Sequence, residues 1–275
     1  MLDNNPFRGS VAVAEGRVTR RQLAGPQVRR LFPDVYVSAS ARLDHRTWCA
    51  GAALLLPPTA AISDWSALSL FCPAASAADN APVEVSVPSP ANLRQHSRFR
   101  IHRGVLDPAD VIQYEGLPVT SPARTAFDLA RRRELLRAVI GLDALLTGRL
   151  ITKEQIAEYA QTHSSLHGAR HVAPALELAT NGAESPLETR LRLVLVLAGL
   201  PTPEVQYEVP AAGRIDLAYP GQRIGIEVNG DPHADPDRLA RLQSAGWTVL
   251  PFSGDDVLRR PERVASQVRV ALEPG

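Results

Sequence analysis

A chain of 275 residues, 45% hydrophobic and 21% charged, is long enough for two domains and has the make-up of an ordinary soluble globular protein. A formal net charge of +1 excludes a molecule drawn as a whole to nucleic acid. Two cysteines exclude a disulfide framework or a paired-cysteine metal motif, no basic-then-apolar leader opens the chain, and the apolar run from Ala50 to Leu56 is too short to span a bilayer. A reduced cytoplasmic location without membrane association is the expectation.

Residues 1–48 form the first segment. Arg17 to Gly25 reads as a short helix with Thr19 as N-cap and Gly25 as stop. Pro26 suits the opening of a second helix, Gln27 to Phe32, because its missing N–H has no intrahelical partner to lose there. Val35 to Ser40 alternates like a strand. Two short helices and a strand are similar to a small winged helix-turn-helix, with Arg20, Arg21, Arg29 and Arg30 facing the phosphates of double-stranded DNA. The same residues also describe a solvated arginine-rich face.

Residues 49–180 form the middle segment, an α/β pattern. Apolar helices are predicted from Cys49 to Leu56 and from Asp64 to Phe71, and strands from Val83 to Val87 and from Arg98 to Arg103. Ser121 and Pro122 open a further helix, and two more run from Leu135 to Leu146 and from Lys153 to Gln161. His102, His163, His167 and His171 are scattered without ligand spacing, and Trp65 and Phe71 read as core.

Residues 181–275 form the last segment. Ser185 caps a helix with Pro186 at its first position, and Leu187, Leu191, Val194, Leu195 and Ala198 make one stripe. The stretch from Val205 to Val209 reads as a strand, Pro236 to Ala245 as a short helix, Trp247 to Phe252 as a strand, and Asp255 to Leu272 as a terminal helix. Two more strands flank Pro220-Gly221, with Asp216 in the first and Glu227 and Asn229 in the second. A two-residue hairpin turn there puts Asp216 opposite Gly225 and makes Glu227 its diagonal neighbour. Two carboxylates aimed at one point beside a buried strand need a positive partner, and a hard divalent cation such as Mg²⁺ suits oxygen ligands. Strand-end acids at a solvated edge are the plainer alternative.

The segments Ser185-Pro-Leu-Glu-Thr-Arg-Leu-Arg, Arg214-Ile-Asp-Leu-Ala-Tyr-Pro, Ile224-Gly-Ile-Glu-Val-Asn-Gly-Asp-Pro-His and Leu242-Gln-Ser-Ala-Gly-Trp-Thr-Val-Leu resemble the very-short-patch-repair (Vsr-like) endonucleases of the PD-(D/E)XK restriction-endonuclease-like superfamily. The resemblance covers about residues 183–272. Gly16-Arg-Val-Thr-Arg-Arg-Gln-Leu, Phe32-Pro-Asp-Val-Tyr-Val and Leu117-Pro-Val-Thr-Ser-Pro-Ala-Arg-Thr-Ala-Phe-Asp-Leu-Ala resemble AbiEi-type antitoxin-like proteins.

Together the resemblances imply an α/β (α+β) chain with a winged helix-like module, a middle α/β domain, and a nuclease-like domain whose mixed central sheet is flanked by helices. The nuclease resemblance implies that Asp216 and Glu227 hold Mg²⁺ (or Mn²⁺), that Glu188 orients a water or adds a ligand, and that His233 is general acid or base. Asn229 replaces the acid or lysine of the pattern, and the segment after His233 is short, leaving Arg238 and Arg241 as its phosphate contacts. Both departures point to a weakened or inactive endonuclease. The alternative is a non-catalytic DNA-binding regulator, antitoxin-like and paired with a cognate toxin. Oligomeric state is left open by the sequence.

Overall fold

The computed structural model describes residues 4–75, 77–228 and 236–273. Among these the architecture is mixed α/β, with twelve α-helices and three sheets, in agreement with the predicted class. The chain forms two compact units, Met1–Leu129 with Glu158–His163, and Ala130–Ala157 with Ser164–Gly275. Segment 1–48 lies in the first unit and segment 181–275 in the second, whereas the middle segment is shared between them.

The first unit begins with β1 (Phe7–Arg8), α1 (Gly9–Ala14), α2 (Arg20–Leu23), β2 (Val28–Phe32) and β3 (Val35–Ser38). These strands make an antiparallel sheet in the order β1-β3-β2. Thr19 caps α2 in a capping box with Gln22, as its sequence position predicts. The helix expected over Gln27 to Phe32 is instead strand β2. Its residues pair with β3, Pro33 and Asp34 form the turn, and Asp34 adopts a φ of +60°. Phe32 is buried, stacked on Phe99 at 5.0 Å and edge-on to Trp48 at 5.6 Å. Pairing and ring packing outweigh the local helix-start signal of Pro26.

The chain continues through α3 (His45–Ala53), β4 (Ala61–Ile62), α4 (Asp64–Phe71), β5 (Val83–Pro88), β6 (Phe99–Gly104), β7 (Val111–Tyr114), β8 (Leu117–Thr120) and α5 (Pro122–Arg132). A five-stranded sheet runs β6-β5-β4-β8-β7. Strand β5 pairs antiparallel with β4 and parallel with β6, and its residues from Val83 to Val87 are all buried. At one edge of this unit Arg124 is buried in a closed charge network. Its Nε donates to Asp128 Oδ2 at 2.8 Å, its Nη1 to Asp110 Oδ2 at 3.0 Å, and its Nη2 to the Val105 carbonyl at 3.0 Å. The Tyr159 hydroxyl donates to the other Asp110 oxygen at 2.7 Å.

The rest of the chain supplies α6 (Leu135–Thr147), α7 (Lys153–Thr162), α8 (Val172–Leu178), α9 (Pro186–Leu197), β9 (Glu204–Val209), β10 (Gly213–Tyr219), β11 (Ile224–Val228), α10 (Pro236–Ser244), β12 (Thr248–Phe252), α11 (Gly254–Arg259) and α12 (Pro261–Leu272). Except for Glu158–Thr162 at the end of α7, these belong to the second unit. The expected terminal helix is two helices, because Pro261 opens α12 and disfavours helical geometry at Arg260 before it. The four-stranded sheet runs β12-β11-β10-β9, with β11 parallel to β12 and antiparallel to β10.

Apolar clusters sandwich the second unit's sheet. Leu191, Leu195, Leu217, Ile226, Phe252, Val257, Val264 and Val268 pack together from α9, β10, β11, β12, α11 and α12. Ile215, Ala218, Leu242 and Trp247 form a separate cluster with α10. The predicted stripe of α9 therefore faces the core. Arg192 on the same helix is buried and donates from Nη2 to Asp143 Oδ2 of α6 at 2.8 Å. Asp143 also accepts from the Thr189 hydroxyl and the Thr180 N–H.

Candidate nucleic-acid interface and acidic cluster

Residues 1–48 carry eight arginines against four acids, so the charge of this nearly neutral chain is concentrated at one end. The capping box orients α2 so that Arg20 and Arg21 are exposed, and Arg30 is exposed on β2. Arg29 is different. It is half-buried, and its guanidinium donates to the Ala41 carbonyl within the module. Arg17 pairs with Glu15 at 2.6 Å. The helix-and-hairpin module thus offers Arg20, Arg21 and Arg30 outward, while Arg29 braces the hairpin.

In the second unit the turn between β10 and β11 is longer than the expected two-residue hairpin. It runs from Pro220 to Arg223, and the register pairs Leu217 with Ile226 and Ala218 with Gly225. Extended by one position, this register sets Asp216 against Glu227 rather than Gly225. Strict alternation also fails at Asp216, because Ile215 and Ala218 share one apolar cluster and Leu217 the other. The Asp216 carboxylate accepts the Val228 N–H at 3.1 Å. Gly225 leaves room for Ile215 here, since a Cβ would meet that side chain at 2.9 Å.

Burial pushes the Asp216 carboxyl up from its ordinary range, and the nearby Glu188 and Glu227 charges add to the shift against the Val228 hydrogen bond and Arg238. Glu188 sits in the first turn of α9. Its Oε2 accepts from the Glu184 N–H at 2.9 Å and from Gln206 Nε2 at 2.7 Å, while its own N–H caps onto Ser185. Glu227 is buried, and Arg238 of α10 grips both its oxygens at 2.7 and 2.8 Å. Arg238 also donates to the Arg214 carbonyl at 2.7 Å. Its stem lies against Gly213, where a Cβ would come within 3.2 Å and φ is +117°.

The positive partner that the paired acids require is therefore a guanidinium. With both Glu227 oxygens gripped by Arg238 and Glu188 Oε2 taken by the Glu184 N–H and Gln206, these residues do not fit a Mg²⁺ ion in this arrangement. Arg241 is exposed on the same helix, and Asn229 and His233 lie outside the described residues.

Among the described residues, three metal-type ligand atoms come within 4.8 Å of one another at a place the sequence did not single out: Asp64, Glu84 and His102. The missed signal was Glu84 and Ser86 alternating with three valines on a strand read only as a strand. Both cysteines are free thiols, and burial pushes Cys49 up to about 12 and Cys72 to about 11, which makes neither a ready nucleophile.

The family model described as the AbiEi antitoxin C-terminal domain matches residues 13–178, more than half of the chain. The chain belongs to this family. The AbiEi match contains Asp64, Glu84 and His102 and ends before Glu188, Asp216 and Glu227, within the segment that carries the nuclease resemblance. Two relatives, uncharacterized proteins from the CDC 1551 and H37Rv strains of Mycobacterium tuberculosis, are each 34% identical over 170 residues, covering 58% of this chain and 63% of theirs. An uncharacterized protein of Haemophilus influenzae is 36% identical over 66 residues, covering 22% of this chain and 54% of its own. The chain thus spans less than two thirds of the length of these curated relatives. Among the described residues no helix is long and apolar enough to cross a membrane.

Proposed function

We propose that this AbiEi-family protein is a non-catalytic, antitoxin-like regulator that binds double-stranded DNA through its first 48 residues and pairs with a cognate toxin. The observation that carries the DNA contact is the outward set Arg20, Arg21 and Arg30 on α2 and β2. The antitoxin description of the family supports the toxin partner. A guanidinium on Glu227 supports a nuclease-like segment that serves as scaffold, since the acids already have a fixed counter-charge. Phosphate contacts from three arginines predict a binding constant that falls steeply with salt, with a log–log slope of roughly −0.9 per phosphate engaged.

The test is anisotropy of labelled duplex DNA across a salt series. The Arg20→Ala, Arg21→Ala, Arg30→Ala triple variant is expected to bind more weakly and to flatten the slope by about three. An unchanged slope overturns the assignment of the interface. Incubation of plasmid with the parent protein and Mg²⁺ or Mn²⁺ tests the non-catalytic part. Nicking that disappears in both Asp216→Asn and Glu227→Gln would establish the endonuclease in its place.

A further inference from the structure

The first unit holds a second polar cluster, distinct from the arginine face and from the acids of the second unit. We propose that Asp64, Glu84 and His102 form a binding site for one divalent transition-metal ion of the Zn²⁺ class. Strand pairing brings the ligands together. The parallel register of β5 and β6 sets Ser86 opposite His102 and Glu84 opposite Arg100, so Glu84, Ser86 and His102 share one face. Where β4 turns into α4, the Ser63 N–H donates to the Glu84 carbonyl, which anchors Asp64 beside β5. Asp64 is held at a φ of +55°, in the left-handed region where aspartate is among the better-tolerated residues.

The three ligand atoms lie within 4.8 Å of one another. His102 Nε2 shares a hydrogen bond with Glu84 Oε2 at 2.9 Å and lies 3.8 Å from Asp64 Oδ2. Adjustments of a few tenths of an ångström bring both to the roughly 3–3.5 Å that metal bonds of about 2.0–2.2 Å set between neighbouring ligands of one ion. The three side chains are 0%, 8% and 19% exposed, so two carboxylates stand largely out of water. Two buried negative charges cost several kcal/mol unless a positive charge answers them. Arg100 reaches a Glu84 oxygen at 3.4 Å from a side chain 53% exposed, where solvent screens its charge.

An independent observation points to a ligand at the same place. The Ser86 hydroxyl is buried at 2% residue exposure with no hydrogen-bond partner among the described residues, and it projects on the face that Glu84 and His102 share. The Ser63 hydroxyl, fully buried and adjacent to Asp64, also has no partner among the described residues. Buried hydroxyls are rarely left unpaired, and a water on the fourth position of a three-ligand ion would give Ser86 one. The imidazole selects a Zn²⁺-like ion over Mg²⁺ or Ca²⁺, which take oxygen ligands.

The test uses the full chain, stripped with chelator and titrated with Zn²⁺ by calorimetry, with Mg²⁺ as control and metal content checked by mass spectrometry. One Zn²⁺ per chain is expected, with affinity reduced at least tenfold in both His102→Ala and the near-isosteric Glu84→Gln, and unchanged in Asp216→Asn. Far-UV circular dichroism establishes that the variants fold. Co²⁺ added to the parent protein should give visible bands of a low-coordinate site that Zn²⁺ displaces, a readout independent of any variant. No binding by the parent, binding insensitive to both His102→Ala and Glu84→Gln, or binding lost in Asp216→Asn overturns the proposal. None of these results bears on DNA binding through Arg20, Arg21 and Arg30.

Discussion

The two units each gather acidic side chains around a strand, and they answer the charge differently. In the second unit Glu227 is gripped on both oxygens by Arg238, and Glu188 Oε2 accepts from the Glu184 N–H and from Gln206. In the first unit Glu84 and Asp64 meet an imidazole at 2.9 and 3.8 Å, with two hydroxyls close by that have no hydrogen-bond partner among the described residues. A recognisable acidic motif can thus hold a fixed counter-charge, while Asp64, Glu84 and His102, which form no sequence motif, bring three metal-type ligand atoms together. The partner atoms, rather than the sequence spacing, decide which chemistry each set can hold.

Substitutions can break or sharpen that contrast. The largest effect is expected at Arg124, the buried centre of a charge network with Asp110 and Asp128. Arg124→Ala leaves Asp110 and Asp128 buried without their guanidinium and should lower stability by about 3–5 kcal/mol, measured by urea denaturation. A loss under about 1 kcal/mol would mean that buried acids in this unit need no fixed cation.

A smaller effect is expected at Arg238, which is about a third exposed, so solvent screens its pair with Glu227. Arg238→Ala should cost roughly 1 kcal/mol. A melting temperature that rises with added Mg²⁺ in this variant, and stays constant in the parent, would show guanidinium and cation competing for one place.

The smallest effect is expected at Asp216 and has the opposite sign. Its folded-state pKa is raised, chiefly by burial and further by Glu188 and Glu227. The ionised form is therefore penalised by folding. That penalty is absent below the unfolded-state value, grows as pH rises towards the folded-state value, and is complete above it. Asp216→Asn should then melt slightly higher than the parent at neutral pH, with the gain disappearing near pH 3. A lower melting temperature at neutral pH would show that the bond to the Val228 N–H matters more than the charge.

Much of the fold was legible in single residues. Thr19 and Ser185 announce helix starts, and the structure caps α2 and α9 with them. The stripe through Leu191 and Leu195 faces the core as its period predicts. Legibility failed where partners distant in the chain decide the outcome. Val28–Phe32 carries apolar residues compatible with either period, and pairing with β3 selects the strand. The turn after Tyr219 takes four residues, so Asp216 stands directly against Glu227 rather than diagonal to it, and the two-residue turn gave the wrong register. Asp64, Glu84 and His102 come from a helix start and two strands, and only the register of β5 with β6 brings them together.

The ion pair between Arg192 and Asp143 bears on how this polypeptide is dissected in the laboratory. A fragment starting at residue 181 retains the arginine and leaves its aspartate behind, so a guanidinium meant for the interior has no anion to meet. Dividing the protein where the motifs change would therefore cut through an electrostatic joint, and a soluble excised piece needs α6 included or Arg192 replaced by an apolar residue of similar volume.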